Sequence, residues 1–139
     1  MDFNGFKILF GGDLPREGWI ELLKKEDFKT AIKGTMIFKT PHHGRENGFC
    51  KELFDVISPM LCIVSDKQLD DSNENTEAIA KYRETVKANG GGVEFVRVSD
   101  GVSVGTRYVL TTRNDNSIFM KISSDTDYTI RTNTTWLDE

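Results

Sequence analysis

Histidine is scarce in this chain: two occur among 139 residues, and both stand together as His42 and His43. Cysteine is equally rare. Cys50 and Cys62 sit in apolar surroundings without a repeated C-x-x-C spacing, which excludes a zinc ribbon and a secreted disulfide scaffold and marks them as reduced core thiols. No apolar run reaches the length of a membrane span. The opening "MDFNGFKILF" has neither a basic n-region nor a small-residue cleavage site, so the expected location is cytoplasmic and no membrane contact is expected from this chain. An excess of positive charge is also missing, since the net charge is -4 and the isoelectric point about 5.2. That excludes a surface built to hold polyanions by bulk charge. The imbalance is local: residues 1–60 carry nine basic and nine acidic side chains, and the remainder nine and thirteen. Any polyanion is better received near the first half.

What is present is enough apolar material, 37% of residues, for one domain spanning residues 1–139. "FKILF" (6–10), "TMIFKT" (35–40), "MLCIVS" (60–65) and "VEFVRV" read as strands. Between them, residues 15–26, 48–57 and about 76–88 carry helical spacing, the second stopping before Pro59 and the third at Gly90-Gly91-Gly92. This alternation predicts a largely parallel sheet with crossover helices, an α/β arrangement. After Gly105, "RYVLTT", "SIFMKIS" and "DYTIRT" are separated by the turn signals "RNDN" and "SDTD" and predict an antiparallel meander, an α+β ending. The start carries one oddity. Asn4-Gly5 is a strong hairpin signal, yet only three residues precede it, which suggests either a fold entered at its middle or a plain N-terminal loop.

In an open α/β sheet, ligands gather beyond the carboxyl ends of the strands. The first strand ends in "GGD" and the second in "PHHG", so Asp13, His42 and His43 are expected at one edge, with Gly11, Gly12 and Gly44 allowing sharp turns. A carboxylate and an imidazole at one rim suit a divalent cation such as zinc or manganese. Each residue also has a plainer reading. Asp13 precedes "LPREG" and suits an N-cap, and paired histidines suit a polar turn.

"ILFGGDLPREGWIELL" followed by "MIFKTPHHGREN" resembles the metallo-β-lactamase-fold hydrolases, in particular the branch typified by the hydrolase domain of bacterial competence (DNA-uptake) proteins. The later "YVLTTRNDNSIFMKIS" is similar to that branch's closing strands, with Asn116-Ser117-Ile118 in place of its glycine-containing turn, so the likeness covers about residues 6–132. It implies half of an αββα sandwich: a mixed sheet, crossover helices and a C-terminal antiparallel meander. It further implies a two-metal hydrolase site, with Asp13 bridging two zinc ions (or manganese), His43 binding one, and His42 orienting substrate or supporting the site. Metal-bound water of lowered pKa is then the nucleophile.

The chain departs from the family at two points. The signature H-x-H-x-D-H is absent, which leaves Asp13 and His43 short of the three protein ligands that even a catalytic zinc keeps. Where the branch has a G-H-P-type segment, this chain has "DSNENTEAI", with Asp71, Asn73 or Glu74 as polar candidates. The resemblance therefore implies the C-terminal half of the fold, whose sheet would be covered by an upstream half or by self-association. Three functions follow from it: part of a phosphodiesterase or nuclease-like hydrolase; a noncatalytic association module; or a binder of nucleic acid or nucleotide through Lys39, Arg45 and nearby helix N-termini.

Overall fold

The computed structural model describes residues 1–66, 78–133 and 135–138. It is mixed α/β, with a mixed sheet, antiparallel hairpins and two separate cores. Strands β1 (Asp2–Phe3), β2 (Phe6–Phe10), β3 (Ile37–Lys39), β4 (Leu61–Val64) and β7 (Val109–Thr111) form one sheet in the order β1-β2-β3-β4-β7. Strands β2, β3, β4 and β7 are parallel, whereas β1 joins β2 antiparallel. Strands β5 (Val93–Arg97), β6 (Ser103–Arg107), β8 (Phe119–Ser124), β9 (Asp127–Arg131) and β10 (Thr135–Asp138) form an antiparallel sheet in the order β6-β5-β10-β9-β8. The helices are α1 (Arg16–Leu23), α2 (Glu26–Ile32), α3 (Ile79–Ala88) and the one-turn α4 (Thr112–Asp115). No helix among the described residues is long and apolar enough to cross a membrane.

Because side chains alternate along a strand, neighbouring residues of the parallel strands enter different cores. Phe38, Cys62, Val64 and Val109 pack with Trp19, Leu53, Phe54, Tyr82 and Val86 on the helical side. Ile37, Leu61, Ile63 and Leu110 join Phe6, Ile8, Phe95, Tyr128 and Ile130 between the sheets. Phe38 is central to the first core, meeting the rings of Trp19 and Phe54 edge-on at 5.8 Å and that of Tyr82 at 6.2 Å. In the second, Phe6 meets Tyr128 at 4.8 Å.

Several expectations change. "VEFVR" is not a fourth parallel strand. Gly92 N–H donates to the Met60 carbonyl at 2.8 Å, beside the start of β4, and the chain then enters the second sheet as β5. Its burial alternates, Val93 and Phe95 inward and Glu94 outward, as suits a sheet covered on one face. The fourth parallel strand is "VLT" of "RYVLTT", buried at every residue, which the meander reading had placed with the antiparallel strands. Residues 48–57 form a short 3-10 turn, Lys51–Asp55, in place of a longer helix. The 15–26 helix stops at Leu23, Lys25 leaves the helical region (φ -98°, ψ 120°), and α2 follows. The Asn4-Gly5 hairpin does have a first arm: Asp2 and Phe3 pair with Lys7 and Phe6 across a turn of positive φ. The sheet face expected to be bare is covered by the chain's own second sheet.

Truncating Phe38 would leave a cavity bounded by three rings. Phe38→Ala is expected to lower unfolding free energy by about 3–5 kcal/mol in urea denaturation. A loss below about 1 kcal/mol would contradict its central place.

Candidate functional site

Parallel register brings the ends of β2, β3, β4 and β7 to one edge, and the loops leaving them are joined by backbone hydrogen bonds. Gly11 N–H donates to Lys39 O (2.8 Å), Thr40 N–H to Ile63 O (2.9 Å) and His42 N–H to Gly12 O (2.9 Å). Gly11 is required here, since a Cβ would stand 2.6 Å from the backbone nitrogen of Pro41. Asp13 thus leaves from a loop bonded directly to the one that carries the histidines. It is exposed and is not the N-cap of α1: that position is Pro15, and no side chain caps the helix.

The histidine loop is left-handed at three successive residues, His42 (φ 49°), His43 (φ 55°) and Gly44 (φ 74°). Left-handed backbone costs an L-residue roughly 1–2 kcal/mol, and such strain gathers at functional positions. Gly44 also lies against β4, where a Cβ would meet Val64 Cγ1 at 2.8 Å, and its carbonyl accepts from Ala78 N–H at 2.8 Å.

The two rings differ in their surroundings. His43 Nδ1 lies 2.6 Å from the Ser65 carbonyl. A carbonyl only accepts, so Nδ1 carries the proton and Nε2 of the neutral ring is left with its lone pair, the arrangement that suits a metal ligand. His42 Nδ1 is buried and has no hydrogen-bond partner among the described residues. An orphan of this kind costs about 1–3 kcal/mol unless a bound group satisfies it.

Two further groups stand at this edge: Lys39, which the sequence offered only for binding nucleic acid or nucleotide, and Asp66, which it did not single out. Lys39, the last residue of β3, donates to the Thr40 carbonyl at 3.2 Å. Burial pushes its ammonium below the usual lysine range, and the charge of Asp13 partly restores it. Asp66 follows the third parallel strand in "IVSD", the same strand-then-acid signal as "FGGD". Its N–H donates to Thr112 Oγ1 (2.8 Å), its carbonyl accepts from that hydroxyl (2.6 Å), and Arg113 pairs with its carboxylate at 3.3 Å. Asp66 thus fastens β4 to α4. Asp71, Asn73 and Glu74 lie outside the described residues.

Asp13 and His43 have the donor chemistry of a divalent-metal site. Among the described residues, however, no group of three His, Cys, Asp or Glu side chains is placed to hold an ion, so these two do not close a metal centre by themselves. No family model, curated protein or solved structure matches the chain.

The strain at His42 gives a direct test. Its side chain makes no hydrogen bond among the described residues, so His42→Gly relieves the backbone and removes the orphan at once. Stability in urea is expected to rise by about 1 kcal/mol. Gly44→Ala is expected to lose at least about 1–2 kcal/mol, since it adds both strain and the Val64 collision.

Proposed function

We propose that the chain is the C-terminal part of a metal-dependent hydrolase of the metallo-β-lactamase type, acting on phosphodiesters as a phosphodiesterase or nuclease-like enzyme. In this reading Asp13 and His43 hold divalent metal, zinc or manganese, His42 orients the substrate, and the remaining donors come from an upstream half of the sandwich. The single observation that carries the reading is the orientation of His43: the Ser65 carbonyl fixes its Nδ1 proton and leaves Nε2 as a lone-pair donor on a strained turn. The same turn is hydrogen-bonded to the loop of Asp13. A layer of helices on a mixed sheet is in keeping with one half of such a sandwich, while the face that would meet the other half is taken by the chain's own antiparallel sheet, so an upstream segment would have to reach the histidine edge by another route.

When bound, the metal would supply a water of lowered pKa as nucleophile and share the charge of the phosphoryl transition state. The chain's own residues perform the positioning. Ser65 holds the His43 ring, and the Gly12 carbonyl anchors the backbone of His42. The buried Nδ1 of His42 stands ready for a polar group of the substrate. Lys39 adds a positive charge beside Asp13.

A second reading, a noncatalytic association module, has its own observation. Val98, Val102 and Val104, 45%, 51% and 41% exposed, lie in and beside the connection from β5 to β6. A patch of this kind is commonly covered by a partner.

Calorimetric titration of the purified chain with zinc and manganese separates the two. Weak binding is expected, reduced at least about tenfold by Asp13→Asn and by His43→Ala. Equal binding by all three proteins would remove the metal reading. A flat titration together with a dimer in sedimentation that Val102→Asp returns to monomer would select the association module.

A further inference from the structure

A recess of about 490 Å³ is lined by Ser117, Phe119, Arg131, Thr132 and Asn133. Its volume falls within the range of small-ligand sites. Phe119 and Arg131 are directly opposite one another as the first pair of β8 and β9. Alternation along β8 sends Met120 and Ile122 toward the inter-sheet core and leaves Phe119 outward, 58% exposed. Among the described residues Arg131, which is also exposed, has no ion pair and no acidic side chain lines the recess. The floor is held in place at Thr132, whose N–H donates to the Thr135 carbonyl at 2.8 Å while the two hydroxyls meet at 2.8 Å.

An uncompensated guanidinium in a concavity favours an anion, and its planar fork matches phosphate oxygens in a way an ammonium does not. The adjoining aromatic face favours a flat ring, since stacking covers apolar surface with little demand on the ring's identity. Ser117 and Asn133 add a hydroxyl and an amide at the rim. We propose that this recess binds a phosphate monoester carrying a planar ring, as in a nucleotide, with Arg131 on the phosphate and Phe119 stacked on the ring. The net negative charge of residues 61–139, nine basic against thirteen acidic side chains, favours one small ligand here over a polyanion. The inference stands on different residues from the proposed metal edge and does not depend on it.

Titration of the whole chain in EDTA, followed by calorimetry or NMR shifts, with AMP, phenyl phosphate, adenosine and inorganic phosphate tests the site without any metal. AMP or phenyl phosphate is expected to bind at least about tenfold more tightly than adenosine or phosphate. Phe119→Ala and Arg131→Gln should each weaken that binding about tenfold, with circular dichroism and melting unchanged because both side chains are exposed. A preference for AMP over phenyl phosphate assigns a nucleotide, and equal affinity assigns an aryl phosphate more broadly. Binding no tighter than that of inorganic phosphate, or binding indifferent to both substitutions, overturns the proposal.

Discussion

The apolar residues of β3, β4 and β7 are all claimed by one of two cores, and this double burial is the constraint on which the remaining structure depends. Ile37 and Phe38, Leu61 and Cys62, Ile63 and Val64, and Val109 and Leu110 face opposite ways at successive residues. A slip of one residue would exchange the two sets, moving Phe38 from its ring cluster on the helical side to the space between the sheets. Register is therefore fixed on both faces at once. With it the strands end in line, and the loops that leave them are obliged to share one edge.

The left-handed turn is a consequence of that crowding. Thr40 is still bonded to β4, through both its N–H and its hydroxyl to Ile63 O, and Pro41 lies against Gly11 and Gly48 so closely that neither could carry a Cβ. The chain must therefore reverse within the next three residues while passing over Val64. Three positive φ values in a row achieve this, and only the last falls on a glycine. Backbone strain at His42 and His43 is stabilised by the sheet beneath them, as happens when surrounding structure over-determines a loop. Lys39 belongs to the same geometry: it is the last strand residue before the reversal, half-buried beside the exposed Asp13.

Much of this was legible in the sequence, and the failures have physical causes. The first three parallel strands and the meeting of "GGD" with "PHHG" at one edge followed from short apolar runs ending in glycine. The exchange of "VEFVR" and "VLT" came from order along the chain, where another strand after a helix was assumed to continue the parallel sheet. Composition held the better signal: Glu94 interrupts the first run, as in a strand with one wet face, while Val109, Leu110 and Thr111 are all buried. Asp13 taken alone read as a helix cap, because an acid just before a helix suits that role without any metal. The backbone removes the cap reading, by placing Pro15 at that position. The orientation of His43 was beyond reach, since its partner is a main-chain carbonyl and a carbonyl carries no residue identity.

That last point bears on what kind of site the edge can be. A histidine oriented by another side chain loses its orientation when that side chain moves or titrates, whereas the Ser65 carbonyl is held at the end of a fully buried strand and does not titrate. The ring of His43 is thus ordered in the absence of any ion. Ordering a ligand is one of the costs of binding, and preorganisation removes it. In the metal reading proposed above, a segment that brought further imidazoles or carboxylates to this edge would meet a His43 ring already oriented by the Ser65 carbonyl.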